Sequence, residues 1–427
     1  MDSGHGTMIQ PSPPLSPRNY YLLLAGQFLG AFGDNFLLAA ILGPLTYALQ
    51  SGGITDNVVN SENALFGIVF SVPCIVLAPL AGFLNDRMPK TTWLVGGNLT
   101  KLFGTAIGLV AVALHPGAGS HAAQVAGYCI VGVGACFYAP AKYGILPEVV
   151  PQDRLVKANG SVEMLTLVAI VAGLGGGVVL YDNTLSLELC YVVSAGLYAV
   201  ALVCNALMAR TKLNPDASLL HSLGEFGSSF LALVRNPRLG RILLGSALFW
   251  FAGSTLRTAL QGWGLEVFSQ ASVAHVTNTK LVLFKIGLAL GIVAGAMLAG
   301  QLHKTGDLTG ARRYAFLLAA GLVGLGLLGG AFGLVVVFLV LIVTGCAAGL
   351  LVVPFNAALQ SETDPAKLGK TVAIQNCTDF IGIAAGAAYL SFLSHFDLTP
   401  NQDLMILGVT VAAITLGFGV FNRPRPA

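Results

Sequence analysis

Charge is what this sequence has least of. Only 10% of its 427 residues are Asp, Glu, Lys or Arg, against about 25% in average soluble domains. Mean hydropathy is +0.78. So few charges cannot cover a water-soluble fold, which excludes a soluble globular protein. Cysteine motifs are missing too. Cys74, Cys129, Cys136, Cys190, Cys204, Cys346 and Cys377 all lie in apolar stretches, and no two form a C-x-x-C pair. They read as small packing hydrophobes rather than metal ligands or disulfides. No G-x-S-x-G or H-E-x-x-H occurs, and no His is followed by Asp at the H-x-x-x-x-D spacing of glycerolipid acyltransferases. "DPAKLGKT" imitates a phosphate-binding loop, but Asp364 stands where its first Gly is needed. We therefore expect no enzyme, no metal and no cofactor. The net charge of +3 gives no reason to expect nucleic acid as a partner. The first twenty residues lack an apolar core and a small-residue cleavage site, so no signal peptide is expected.

What the sequence does have is long apolar runs. Runs near 20 residues between short polar breaks read as membrane-spanning helices. They fall at about 20–49, 63–84, 92–114, 122–147, 156–180, 187–209, 240–268, 276–301, 312–333, 335–359, 369–394 and 402–421. The break at "GGAFG" is the faintest. Arg18, "NDRMPK", "QDRLVK", the 210–239 segment, "HKTGDLTGARR", "DPAKLGK" and "NRPRP" fall on one side. The opposite loops, "QSGGITDNVVNSEN", "HPGAGSH", "YDNTLSLE" and "SHFDLTPNQD", hold acids and no Lys or Arg; Lys280 alone lies near that face. The positive-inside rule then makes both termini cytoplasmic.

Residues 210–239 divide six spans from six. Internal matches support a duplication. Phe32-Gly33-Asp34-Asn35 faces Ala252-Gly253-Ser254-Thr255, Pro140 and Lys142 face Pro354 and Asn356, and Lys157 and Glu163 face Lys370 and Asn376. We expect a cytoplasmic segment over 1–19, a six-helix bundle over 20–209, a linker over 210–239 and a second bundle over 240–422. The fold class is an all-α membrane protein of twelve transmembrane helices in two pseudo-symmetric six-helix bundles. That is the architecture of the major facilitator superfamily. "GFLNDRMPK" resembles its G-x-L-x-D-R-x-G-[RK] signature, with Pro89 in place of Gly, and suggests Asp86 and Arg87 as a gating clamp. The other reading is a solvated, topogenic turn. Glycine strips such as "AGLGGGVVL" and "GLALGIVAGAMLAG" read as helix-packing surface.

A charge in hydrocarbon costs about 2.5–3.5 kcal/mol on insertion scales and so marks a functional candidate. The intramembrane set is Asp34, Lys101, Lys142, Glu163, Arg257, Lys285 and Asp379. Depth allows an outer pair, Asp34 with Arg257, and an inner pair, Lys142 with Glu163. Each reads either as a gate or as a static bridge. Lys101 suits snorkelling or a neighbouring helix. Asn35 adjoins Asp34, and Trp250 precedes Arg257. Asn356 and Gln360 share one face of the tenth span, as do Gln375, Asn376 and Asp379 of the eleventh. These suit either substrate contact or plain interhelical bonding. Pro140 and Pro354 should bend their helices.

At "AGQFLGAFGDNFLL", "VGVGACFYAPAKYGILPEVV", "LVKANGSVE", "LFWFAGSTLRTAL", "VVPFNAALQ" and "AIQNCTDFIG" the chain resembles the bacterial lysophospholipid transporters over residues 20 to 422 or so. Ala139 replaces the usual Ser of S-P-A-K-Y-G, and Asp379 stands where relatives can carry Glu. The resemblance implies alternating-access movement of lysophospholipids, such as the ethanolamine and glycerol forms, from the outer to the inner leaflet of the bacterial cytoplasmic membrane. It implies a separate acyltransferase partner at the cytoplasmic face, because the sequence stops at "NRPRPA", and Asp34, Lys142 and Arg257 as functional charges. A proton-coupled exporter of amphipathic drugs is the alternative.

Overall fold

In a bilayer every backbone polar group must be satisfied within the protein, which favours helices over any open structure. In the computed structural model, all regular structure among the described residues is helical. The structure describes residues 17–417 except 51–52, 55, 116–119, 212–218, 273–277, 330–331, 365–366 and 397. Lys280 lies within a helix, but its side chain is outside the description, as are the 1–16 part of the expected first segment and residues 418–427.

The first half comprises α1 (Pro17–Gln50), α2 (Asp56–Val76), α3 (Ala78–Arg87), α4 (Lys90–Leu114), α5 (His121–Gly144), the short α6 (Leu146–Val149), α7 (Leu155–Thr184) and α8 (Leu187–Ala206). After α9 (Leu219–Arg235) come α10 (Leu239–Gln270), α11 (Asn278–Leu302), α12 (Ala311–Leu328), α13 (Leu334–Glu362), α14 (Leu368–Leu393) and α15 (Pro400–Gly417). Among the described residues nine of these are each long and apolar enough to cross a membrane, and α2 with α3 make a tenth, bent by 54°. α14 carries Lys370, Gln375, Asn376 and Asp379, and α15 opens on Asn401, Gln402 and Asp403. Those residues dilute both helices, which nevertheless occupy the eleventh and twelfth expected positions.

Two breaks in the helical pattern stand out. The broken span is the second: Pro73 lies in α2, and a further Pro opens α3 after Leu77, removing donors where the chain turns. Pro140 and Pro354 lie inside α5 and α13. The faint break at "GGAFG" is real. Gly329 (φ +49°) ends α12 and Gly333 (φ +84°) precedes α13, a left-handed region that glycine enters without steric cost.

Each half repeats one packing scheme. α1 packs on α7 as α10 packs on α14, α2 on α5 as α11 on α13, and α4 on α8 as α12 on α15. Glycines bring the backbones together. A Cβ on Gly97 would lie 2.8 Å from the Gly134 carbonyl oxygen. Gly173 and Gly177 sit against the carbonyls of Phe32 and Phe36, and Gly291 and Gly295 against those of Ile342 and Cys346. The two strips read from the sequence are therefore packing surface.

The halves meet at the end that carries the basic loops. Asp86 accepts the backbone N–H groups of Gly369 (2.6 Å) and Lys370 (3.0 Å), so a carboxylate sits on the positive first turn of α14. Thr305 donates to the Gln152 carbonyl at 2.7 Å. Gly82 faces Lys370 and Ala373, Gly160 faces Ala296, and Gly300 faces Lys157. The helix α9 packs on α3 and α10, and its Glu225 lies 3.5 Å from Lys370. The closed end is thus bridged by a linker that had read simply as polar.

A Cβ at Gly160 would stand 2.6 Å from the Ala296 carbonyl oxygen. Gly160→Leu should therefore wedge the closed end open, with an overpacking cost of about 1–3 kcal/mol. Spin labels flanking this contact on α7 and α11 should report longer distances than in the parent; an unchanged distance distribution would contradict the closure described.

Candidate functional site

A buried carboxylate must find a cation or hydrogen-bond donors, and Asp34 finds both within its own bundle. Lys101 of α4 lies 2.6 Å from its Oδ2, and the Tyr198 hydroxyl of α8 donates to its Oδ1 at 2.8 Å. The Tyr128 hydroxyl of α5 donates to the Asp34 carbonyl at 3.3 Å. The Lys101 ammonium also lies 5.4 Å from the Tyr138 ring centroid and 5.7 Å from that of Tyr198. Two aromatic faces so flank a desolvated cation.

The expected pairing of Asp34 with Arg257 is therefore not the one formed. Among the described residues no carboxylate lies within 4 Å of Arg257, and its side chain is exposed. It is within electrostatic reach of Tyr128 in the other bundle and of Lys285 on α11. Arg257 thus projects into the space between the bundles, next to the tyrosine that touches Asp34. α1 and α4 pack closely through α8, whereas α1 and α10 belong to opposite bundles; the nearer cation on the closer helix takes the carboxylate.

The inner expected pair is also replaced. Glu163 accepts the Tyr143 hydroxyl at 2.5 Å and the Asn356 amide at 3.0 Å. Lys142 lies over the Tyr143 ring, 4.3 Å from its centroid, with no carboxylate within 4 Å among the described residues. The neighbouring phenol has taken the acid, and its ring has taken the ammonium. From Glu163 the polar chain runs on: Gln375 donates to Asn356 Oδ1 at 2.5 Å and to Ser246 Oγ at 3.3 Å. Ser246 and Trp250 lie near Asp379, whose buried Oδ1 has no hydrogen-bond partner. One chain of side chains thus crosses from α5 and α7 to α13, α14 and α10. One turn closer to the basic end, Asn159 and Gln360 exchange two amide hydrogen bonds of 2.9 Å.

The remaining expected residues divide. Asn35 donates to the Ala31 carbonyl of its own helix at 2.9 Å. Asn376 borders a pocket at the seam lined by Cys74, Cys136, Pro140 and Phe380, and its Nδ2 is unpaired. Asp86 holds α14, while Arg87 lies over the Phe83 ring of its own helix at 5.8 Å. Sequence reasoning missed Tyr128, Tyr143, Asn159 and Tyr198, because neutral hydroxyls and amides were outranked by charges. Of the two readings left open for Lys101, snorkelling or a neighbouring helix, the structure shows the second. The signal was present: Asn98, Lys101 and Thr105 recur at i, i+3 and i+7, one polar stripe on α4, and all three are buried.

Comparison with known proteins follows this geometry. Residues 23–387 match the family model described as Major Facilitator Superfamily. The lysophospholipid transporter LplT of Photorhabdus laumondii is 32% identical over 420 residues, covering 95% of this chain and 93% of the relative. The human organic anion transporter MFSD10 superposes with a TM-score of 0.74 at 18% identity, covering 97% of this chain and all of that one. The transporter FucP, solved in the outward conformation, superposes at 0.70 with 14% identity, covering 95% of this chain and 99% of that one.

The Asp34–Lys101 pair predicts a specific double-mutant result. Lys101→Met alone or Asp34→Asn alone strands a buried charge or breaks its network, at about 3–5 kcal/mol each, and should lower the unfolding midpoint in detergent. The double variant should recover most of the loss. Additive losses would mean that the two groups are not paired.

Proposed function

Since the chain belongs to the lysophospholipid transporter family of the major facilitator superfamily, we propose that it moves lysophospholipids across the bacterial cytoplasmic membrane by alternating access, from the outer to the inner leaflet. The basic loops then face the cytoplasm, with both termini. The bundles are closed at that end and the transporter stands open to the outside. A separate acyltransferase at the cytoplasmic face restores the second acyl chain.

The observation that carries this reading is Arg257: exposed, without a carboxylate partner among the described residues, and facing the other bundle from the end away from the basic loops. A free guanidinium there is suited to a phosphodiester, which it can grip with two parallel hydrogen bonds. Lys285 adds positive potential beside it. A single acyl chain needs only apolar wall, and the seam between the bundles supplies that. Deeper in, the chain from Glu163 to Asp379 offers amide, hydroxyl and carboxylate partners that a headgroup can adopt as the inner contacts open. We assign substrate contact to Asp34, Lys142, Glu163, Trp250, Arg257, Asn356, Gln360, Gln375, Asn376 and Asp379, and gating to Asp86 and Arg87. Asn35 supports α1 from within. Proton-coupled export of amphipathic drugs has less support, because Asp34 is occupied by Lys101 and Glu163 by two hydrogen-bond donors.

The test is uptake of labelled lysophosphatidylethanolamine and lysophosphatidylglycerol by cells or proteoliposomes. Arg257→Ala should reduce both by about tenfold or more, the loss expected for one charged hydrogen-bonding group. Equal transport by this variant at parental expression would remove Arg257 from the site, and no transport by the parent would end the reading.

A further inference from the structure

The surroundings of Lys101 hold an acceptor that nothing uses. Asn98 lies one turn before it on α4 and is completely buried, yet neither its Oδ1 nor its Nδ2 has a hydrogen-bond partner. A buried amide left unsatisfied is costly, so a fully unpaired one beside a charged site calls for an occupant. Gly30 of α1 shows where. A Cβ there would lie 3.4 Å from Asn98 Oδ1 and 3.8 Å from Lys101 Nζ. The absent side chain leaves the gap between the two groups clear.

We propose that Lys101 is a two-position counter-ion: it holds Asp34 while the cavity is empty, and swings to Asn98 Oδ1 when the ammonium of an amine-bearing headgroup takes its place on Asp34. Lysine and an ethanolamine headgroup both present a primary ammonium on a methylene stem, so Asp34 trades one N–H donor set for another, while Lys101 exchanges its carboxylate for an amide oxygen. Lys101 keeps its aromatic neighbours Tyr138 and Tyr198 and gains the amide oxygen. Tyr198 stays on Asp34 Oδ1, holding the carboxylate in position during the exchange. The Asp34 side chain retains 12% exposure, against 4% for Lys101, so the carboxylate is the member a headgroup can reach. A headgroup without an amine leaves the pair as it stands and is held by its phosphate alone. Lys101 and Asn98 are then positioning residues that govern acceptance of amine-bearing lipids, an inference that rests on the lysophospholipid reading above.

The readout is the ratio of lysophosphatidylethanolamine to lysophosphatidylglycerol uptake, measured side by side on the same preparation, which cancels differences in folding and expression. Asn98→Leu removes the second position and should lower the ratio by about tenfold, the value of one hydrogen bond to a charged group. Gly30→Ala, whose Cβ fits at contact distance while obstructing the swing, should lower it in the same direction. Lys101→Met removes the competitor and should raise it. A purely structural role for Asn98 and Lys101 would depress both lipids together and leave the ratio unchanged. An unchanged ratio in Asn98→Leu and Gly30→Ala, or a shift of the same sign in all three variants, would overturn the exchange. A parent that moves neither lipid would defeat the transport reading itself, which separates the two failures.

Discussion

Charge buried in hydrocarbon has to be neutralised where it stands, and for Asp34 this fold does so inside one bundle rather than between the two. Asp34 and Lys101 are both on helices of the first half. At the basic-loop end of the second half, Arg238 and Glu362 are likewise joined within their own half by two hydrogen bonds of 2.6 Å, and Arg238 also binds the Gly306 carbonyl. The consequence is mechanical. If Asp34 depended on Arg257, parting the bundles at that level would strand two ions in a low-dielectric space, at several kcal/mol. With Asp34 settled on Lys101, the bundles can part at that level without stranding the carboxylate.

The contacts that do cross the seam are of a weaker kind. They are amide pairs, the Glu163 carboxylate on the Asn356 amide, a hydroxyl to a carbonyl, a carboxylate on two backbone N–H groups, and glycines against backbone. Interhelical hydrogen bonds in membrane proteins average about 0.6 kcal/mol, so a handful can close one end firmly and still yield when substrate compensates. Within a bundle the same glycine device is repeated along whole helices, as Gly291 and Gly295 show on α11. Many backbone contacts in series make a rigid body, and a few at one end make a latch. The Glu225–Lys370 contact adds a strap, with Glu225 half in water, where an ion pair contributes little.

The architecture was legible because it is written in periodic, summed quantities. Hydropathy, loop charge and repeat spacing each average over many residues, and twelve helices in two like halves follow from them. Pairing is different. Periodicity says which residues share a face but not which helix that face meets. Depth along the membrane matched Asp34 to Arg257, yet it is Lys101 of α4 that reaches Asp34. Lys101 was legible as inward-facing through its stripe with Asn98 and Thr105. The tyrosines were not, since a phenol is at home in both core and site until its partner is known. The bend at Leu77 escaped for a similar reason: proline marks a possible break, and packing decides which proline breaks.

The free cation at the mouth then follows from the same constraint. An arginine facing a gap keeps its charge at any physiological pH and is weakly hydrated, so it can stand at an exposed position without a carboxylate partner, as Arg257 does among the described residues. A carboxylate in that position would repel a phosphate, and a paired arginine would first have to be released. Closing the gap around Arg257 without an anion would desolvate a lone guanidinium, which costs several kcal/mol. Closing it around a phosphodiester does not. On the transport reading proposed above, the charge that the sequence keeps on α10 thus opposes the outer closure of an empty transporter and permits that of a loaded one, so that binding and movement become one event.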